Sequence, residues 1–262
     1  MLGLLNTVLS RGGSLLTYVK DGLVMANRFL TPPKLTHPAQ GSAEFNGSSD
    51  YIQVKDDGKG SAFDTQTFTI SAWIQIDALG DNVIWSYDFT SHAVPYYAQQ
   101  MRVVTAGNIY FAWNNGSVLQ DIQGGTITPN KWHHVAVTFG NNSQKIYIDG
   151  SQVQSGSSTA TITYYNQEVW IGKANFGGEF EGNMANVAFW NRALSSDEIN
   201  SVMWKSYEGL TSTESNGLQA WYSLDDITSP AASLANMQQL ATDKNATIEN
   251  TAAITAAINS LS

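Results

Sequence analysis

The chain has 262 residues, a net charge of −9 and a pI near 4.7, and charged residues make up only 13% of it. That balance excludes nonspecific electrostatic attachment to nucleic acid or to an anionic membrane, and the absence of cysteine excludes disulfides and thiolate metal sites. Low charge with abundant Gly, Ser, Thr and Asn describes a β-rich globular chain of one large domain or two small ones, not a disordered one.

The start, Met1 to Ser10, lacks a basic leader, and its apolar run is interrupted by Asn6 and Thr7, so no secretory signal is expected. No stretch approaches the ~20 apolar residues that span a bilayer. Leu2, Leu5 and Leu9 fall at helical spacing, which predicts a short amphipathic helix stopped by Gly12-Gly13. Short strands are expected at Leu15 to Val19 and Leu23 to Met25. Thr31 to Pro38 carries three prolines and reads as an extended strap. Residues 1–39 thus form an N-terminal arm.

Strands follow at regular spacing. They are Ser42 to Asn46, Tyr51 to Lys55, Phe68 to Ile76, Asn82 to Phe89, Tyr97 to Thr105, Asn108 to Asn114 and Val118 to Ile122. Trp132, His134, Ala136 and Thr138 share one face of the next strand, and His133, Val135, Val137 and Phe139 share the other. Gly140-Asn-Asn-Ser143 is the turn into a return strand carrying Ile146 and Ile148. Asp149-Gly150 is a strong tight-turn signal into a strand at Ser151 to Gln154. Glu168 to Gly172 and Met184 to Arg192 continue the series. Such spacing points to an antiparallel sandwich.

Ser195 or Ser196 caps a helix with Asp197 and Glu198 in its first turn, a stripe of Ile199, Val202 and Met203, and an end near Glu208-Gly209. Leu218 to Leu224 is a late strand. In the tail, residues 226–262, Ile254, Ile258 and Leu261 fall at i, i+4 and i+7, so the tail is partly helical. The two apolar ends, Leu5 with Leu9 and Ile254 with Ile258, either fold onto their own domain or dock on partner subunits.

The chemistry-bearing residues are few. Glu179 and Glu181 share a strand face in principle, but Gly177-Gly178 and Gly182 bracket them in a turn, so they read as solvated carboxylates. His133 and His134 are adjacent on a strand and point oppositely, so they form no joint site; a Ser-His-Asp set has no sequence support. Trp85, Tyr87, Tyr96, Tyr97, Tyr110 and Trp113 crowd the middle of the chain. They are either core aromatics or, for Trp85, Tyr87 and Trp113, a carbohydrate-stacking platform.

Three blocks resemble the laminin-G-like branch of the concanavalin-A-like lectin sandwiches: Ala43 to Val54; Trp132 to Phe139 with Lys145 to Gly150; and Phe180 to Ile199. They come in the family's order over roughly Gln40 to Asp225, residues 40–225. The resemblance implies an all-β fold, a two-sheet antiparallel sandwich with one short helix, an N-terminal arm and a partly helical C-terminal tail. It implies that the late strand returns beside the first. It also implies a calcium ion at one rim, for which Asp50 and Asp225 are the candidates, with Asp56, Asp57 and Asp226 nearby. The family usually has an acidic pair where this chain has Ala185-Asn186, so no role of those carboxylates carries over.

The expected function is that of a non-enzymatic structural and interaction protein of a phage virion, a capsid decoration or a tail or fibre component. Its partners there would be other virion proteins or copies of itself. The alternative is a lectin-like, carbohydrate-binding module of a bacterial surface or secreted protein, with a host-surface glycan as partner. A glycan-cleaving enzyme is the third reading.

Overall fold

The computed structural model describes residues 6–9, 15–18, 41–55, 62–88, 97–140, 142–164, 168–224 and 247–248. Residues 1–35 form one compact unit and residues 36–262 another. In the first, β1 (Asn6–Leu9) pairs antiparallel with β2 (Leu15–Tyr18), Asn6 opposite Tyr18 and Leu9 opposite Leu15. The helix expected from Leu2, Leu5 and Leu9 is therefore corrected to a strand from Asn6 onward. A hairpin satisfies the backbone of Thr7 and Val8, both β-branched, whereas so short a helix has no stability of its own. Gly12-Gly13 lies between the strands in sequence.

The second unit contains β3 (Ala43–Asn46), β4 (Ile52–Lys55), β5 (Phe68–Ile76), β6 (Asn82–Asp88), β7 (Tyr97–Val103), β8 (Ile109–Asn114) and β9 (Leu119–Gly124). It continues with β10 (His133–Gly140), β11 (Ser143–Ile148), β12 (Ser151–Gly156), β13 (Glu168–Ile171) and β14 (Glu181–Trp190). Two short helices, α1 (Ser196–Val202) and α2 (Ser212–Ser215), precede β15 (Leu218–Tyr222), and β16 (Thr247–Ile248) lies in the tail. The chain forms two seven-stranded antiparallel sheets. One runs β12-β11-β10-β5-β14-β15, with β3 also on β14; the other runs β16-β4-β13-β6-β7-β8-β9.

The core lies between the sheets because each strand alternates. Val135, Val137 and Phe139 of β10 meet Trp85 and Tyr87 of β6, Met101 and Val103 of β7, and Phe111 and Trp113 of β8 in one buried cluster. Aromatic rings dominate it: Phe68 stacks on Phe139 and on Phe189, and Trp85 stacks on Phe189. The stretch between β3 and β4 switches sheets. The Asn46 side-chain oxygen accepts the N–H groups of Ser48 and Ser49 at 2.9 and 2.8 Å and so pivots the chain. At the β11–β12 turn, Asp149 (φ 50) and Gly150 (φ 78) both lie in the left-handed region, as a type I′ hairpin requires.

The outer face of the first sheet is closed by the helical segment. Ser195 caps α1 in a capping box with Glu198, and Ile199 and Val202 are buried against Ala136, Tyr147, Ala188 and Trp190. Met203 packs on Trp73 and Ala185. Indole N–H groups staple the layer, Trp73 to the Met203 carbonyl (2.8 Å) and Trp190 to that of Glu214 (2.7 Å). Charge pairs do the rest: Arg192 grips Glu198 at 3.0 and 2.7 Å, and Lys205 holds both oxygens of Glu214 at 2.6 and 2.7 Å. The helix is shorter than expected. It stops at Val202, and a separate 3₁₀ turn follows at Tyr207–Gly209.

One further expectation is corrected. β15 is hydrogen-bonded to β14, not to β3. It pairs with Val187 to Trp190 while β3 pairs with Glu181 to Met184, so both lie along one side of β14. A register shift between Ala185 and Ala188, with Asn186 at φ 49, separates the two pairings. Within the tail, Thr247 and Ile248 pair with Lys55 and Val54; Ile254, Ile258 and Leu261, on which the helical reading of the tail rests, lie outside the described residues.

Candidate functional site

The outer face of the second sheet has no described helix over it, and it gathers the polar and aromatic residues that the core excludes. Cross-strand register aligns Gln53 of β4, Trp170 of β13, Ser86 of β6, Gln100 of β7, Ala112 of β8 and Asp121 of β9 in one row. Their strand neighbours Val54, Val169, Ile171, Trp85, Tyr87, Met101 and Phe111 are in the core, so alternation turns this row outward. Ser86 and Gln100 are withdrawn from solvent, yet the Ser86 hydroxyl, both ends of the Gln100 amide and the Trp170 indole N–H have no hydrogen-bond partner. Buried polar groups are ordinarily satisfied, and each unsatisfied one costs about 1–3 kcal/mol.

A second row, Arg102 of β7, Tyr110 of β8 and Gln123 of β9, lies two residues along. The Arg102 guanidinium sits over the Tyr110 ring at 4.7 Å and the Phe176 ring at 5.0 Å, and its Nε is buried without a partner. Burial pushes the Tyr110 hydroxyl up, and Asp121 adds to this, while a hydrogen bond with Tyr97 and the Arg102 charge oppose it. The Lys173 ammonium lies 4.2 Å from the Tyr51 ring and 5.2 Å from that of Trp170. Gly172 donates its N–H to Ile84 (3.3 Å), and the neighbouring Val83 is opposite Arg102. Lys173 and Arg102 therefore occupy the same end of the face. Here Tyr51 is 42% exposed, and Arg102, Tyr110, Lys173 and Phe176 are half-buried.

The expected platform of Trp85, Tyr87 and Trp113 is corrected. These rings are 0%, 1% and 2% exposed and fill the space between the sheets, with the Tyr87 hydroxyl on Asp64 at 2.7 Å. They lie on the inward positions of β6 and β8, where no ligand meets their faces. Of the aromatics weighed from the sequence, Tyr110 lies on the outer face, with Tyr97 hydrogen-bonded to it; its alternation against Phe111 and Trp113 is the signal for this. Trp170, between Val169 and Ile171, carries the same signal. Arg102, Lys173 and Phe176 have none, because only the fold brings them together.

Asp50 is on the turn between β3 and β4, where its carboxylate accepts the Asn46 N–H (3.2 Å) and lies 3.4 Å from the Ser49 hydroxyl. Among the described residues no three His, Asp or Glu side chains form a group able to hold a metal ion. Asp225, the other calcium candidate, lies outside the described residues, as do Leu5, Ile254 and Ile258; Leu9 is the last residue of β1.

His133 and His134 do point oppositely, and Asp149 joins them by another route. Its carboxylate takes the His133 ring Nδ1 at 2.8 Å and the His134 backbone N–H at 2.9 Å. The Thr128 N–H donates to His133 Nε2 (3.1 Å), so the proton of a neutral His133 is on Nδ1. Burial tends to raise the Asp149 carboxyl, but the bonds from both histidines hold it below its ordinary range. His134 Nε2 is 2.8 Å from the Ser71 hydroxyl. This is not a catalytic triad. His134 and Ser71 are 1% and 3% exposed, and Asp149 does not touch the His134 ring.

No helix among the described residues is long and apolar enough to cross a membrane. Comparison with curated protein sequences finds no match. Among solved structures, a proposed carbohydrate-binding protein from Bacteroides ovatus is similar with a TM-score of 0.57 and 21% identity, over 72% of this chain. This chain spans 53% of that protein's length. Domain 4 of an extracellular arabinanase from Geobacillus stearothermophilus matches over 62% of this chain and 76% of its own, at 19% identity and a TM-score of 0.49. A CBM40 from a Ruminococcus gnavus sialidase matches over 62% and 96%, at 14% and 0.48. Likeness at these identities is one of fold. The sequence profile of the laminin-G family described as the Concanavalin A-like lectin/glucanases superfamily matches residues 46–200, more than half of the chain. With its two antiparallel sheets in hand, the chain belongs to that family.

Proposed function

We propose that this protein is a non-enzymatic carbohydrate-binding module whose ligand lies on the outer face of the second sheet. The observation that carries the reading is the accessible end of that face, where exposed Tyr51 and half-buried Tyr110 and Phe176 gather around the Lys173 ammonium and the Arg102 guanidinium. Sugar hydroxyls accept as well as donate, so they complement a guanidinium and an ammonium, while pyranose C–H faces stack on Tyr51 and Tyr110. The Bacteroides ovatus protein, described as carbohydrate-binding, shares this fold. A fold alone does not choose a function, so the weight rests on the face.

The non-enzymatic part of the proposal rests on the pair weighed for glycoside hydrolysis: Glu179 and Glu181 stand among Gly177, Gly178 and Gly182 where β14 begins, and Glu181 is exposed to solvent. A place in a phage particle drew on the chain ends around Leu5, Leu9, Ile254 and Ile258. The comparisons support the carbohydrate-binding alternative better.

The test is binding of an oligosaccharide panel to the purified protein and to Tyr51→Ala. Tyr51 is 42% exposed and its ring touches only Trp170 and Lys173 among the described contacts, so its truncation should lower the melting temperature little. It should weaken the best ligand by about threefold to tenfold. A panel without a ligand, or a ligand whose affinity ignores Tyr51→Ala, would refute the reading.

A further inference from the structure

We infer, resting on the carbohydrate reading, that the ligand is an acidic saccharide whose anionic group is read by Arg102 with Lys173 beside it. The chain has 22 acidic and 13 basic residues, so carboxylates are plentiful. The fold uses them where it needs neutralised cations. Arg192 has a two-point bond to Glu198 and also reaches the Asn216 and Thr213 carbonyls, and Lys205 is closed on Glu214. Arg102 and Lys173 are treated differently. Neither makes an ion pair with a carboxylate among the described residues, and each is held between two aromatic rings. Asp121, which raises the Tyr110 hydroxyl, forms no ion pair with Arg102.

Ring faces position a cation and stabilise it, but they do not accept hydrogen bonds as an oxyanion does. The Arg102 side chain is only half-buried, so part of it stays open to such an acceptor. A guanidinium offers parallel donors that match two anionic oxygens at once. Lys173 supplies a second positive charge at the same end, beside exposed Tyr51. A neutral sugar would leave both cations without a counter-charge. A saccharide with a carboxylate or sulfate on its ring supplies one. The shared chemistry is an anionic group of two or three oxygens on a pyranose.

The experiment is a glycan array of neutral, uronate-, sialate- and sulfate-bearing oligosaccharides, followed by titration calorimetry of the best ligand against its uncharged methyl ester or desulfated form. The protein is used as the full chain, with Arg102→Gln, Arg102→Lys and Lys173→Gln. The expected result is an anionic best ligand, bound about tenfold or more tighter than its uncharged form. Arg102→Gln should abolish that preference, and Arg102→Lys should recover only part of it. Melting temperature and the residual affinity for the uncharged form report whether each variant is folded. The array's carboxylate and sulfate arms tell which anion is read. A neutral best ligand that is sensitive to Tyr51→Ala would overturn the inference and leave the carbohydrate reading standing. An acid-to-ester ratio that Arg102→Gln and Lys173→Gln leave unchanged would also overturn it. An array without any ligand sinks both.

Discussion

Acid should destabilise this protein well before its carboxylates protonate, and His134 is the reason. The residue is 1% exposed on β10, between Ser71 and Trp73 of β5 on one side and the Asp149 turn on the other. Burial lowers its pKa from 6.5 to about 4, against a smaller opposing pull from Asp149. The sign follows from proton counting. Between these values the unfolded chain binds a proton that the folded chain refuses, so stability falls as pH falls through that window. At 1.36 kcal/mol per pH unit the full effect is about 3.4 kcal/mol. About 2 kcal/mol is gone at pH 5 relative to neutral pH, and about 3 kcal/mol at pH 4. The depressed carboxyls Asp149, Glu198 and Glu214 act lower, since their contributions are lost only below their ordinary values of 3.8 and 4.5. The interval from pH 7 to pH 5 therefore isolates histidine. The assay is urea unfolding followed by tryptophan fluorescence at several pH values, on the natural chain and on His134→Gln, which keeps a partner for Ser71. The variant should lose most of the slope between pH 7 and 5. A natural chain with flat stability over that interval, or a variant with an equal slope, would refute the argument.

Two further substitutions probe the layers on either side of the first sheet. Val135 is wholly buried between Ala72 of β5 and Ile148 of β11, so Val135→Asp must bury a charge or take up a proton, and should cost about 4 kcal/mol or more; an unchanged melting temperature would contradict the placement of β10. Glu214 receives bonds from Lys205, Ser201 and Thr211, which outweigh burial and hold its carboxyl down at about 2. Glu214→Ala strips these groups and the α2 capping box together and should cost about 3 kcal/mol by urea unfolding; a loss below about 1 kcal/mol would mean that the α1–α2 layer is held by apolar packing alone.

Local rules in the sequence determined a good deal. Period-two alternation located β5, β10, β11 and β14 to within about three residues, because one face of each is buried and a slip of one residue would invert it. Asp149-Gly150 dictated its turn, because few other pairs take two positive φ values. Ser195 and Glu198 announced the start of α1, because capping acts within one turn of chain. Helical spacing failed at Leu9, where pairing with Leu15 to Tyr18 satisfies the backbone that three leucines cannot. The face proposed to bind sugar was only half legible. Alternation marks Tyr110 and Trp170 as outward, but a crowd of aromatics does not say which side of a strand pair is core until a second sheet covers it. The second sheet's inner face is covered by the first, and that contact sent Trp85, Tyr87 and Trp113 inside. The helical layer fell on the other sheet, where Ile199 and Val202 of α1 pack on Ala136, Tyr147 and Trp190. Arg102 and Lys173 are 71 residues apart in the chain. Their shared end of one sheet exists only because β13 inserts between β4 and β6, a long-range pairing whose choice depends on the packing of both layers at once.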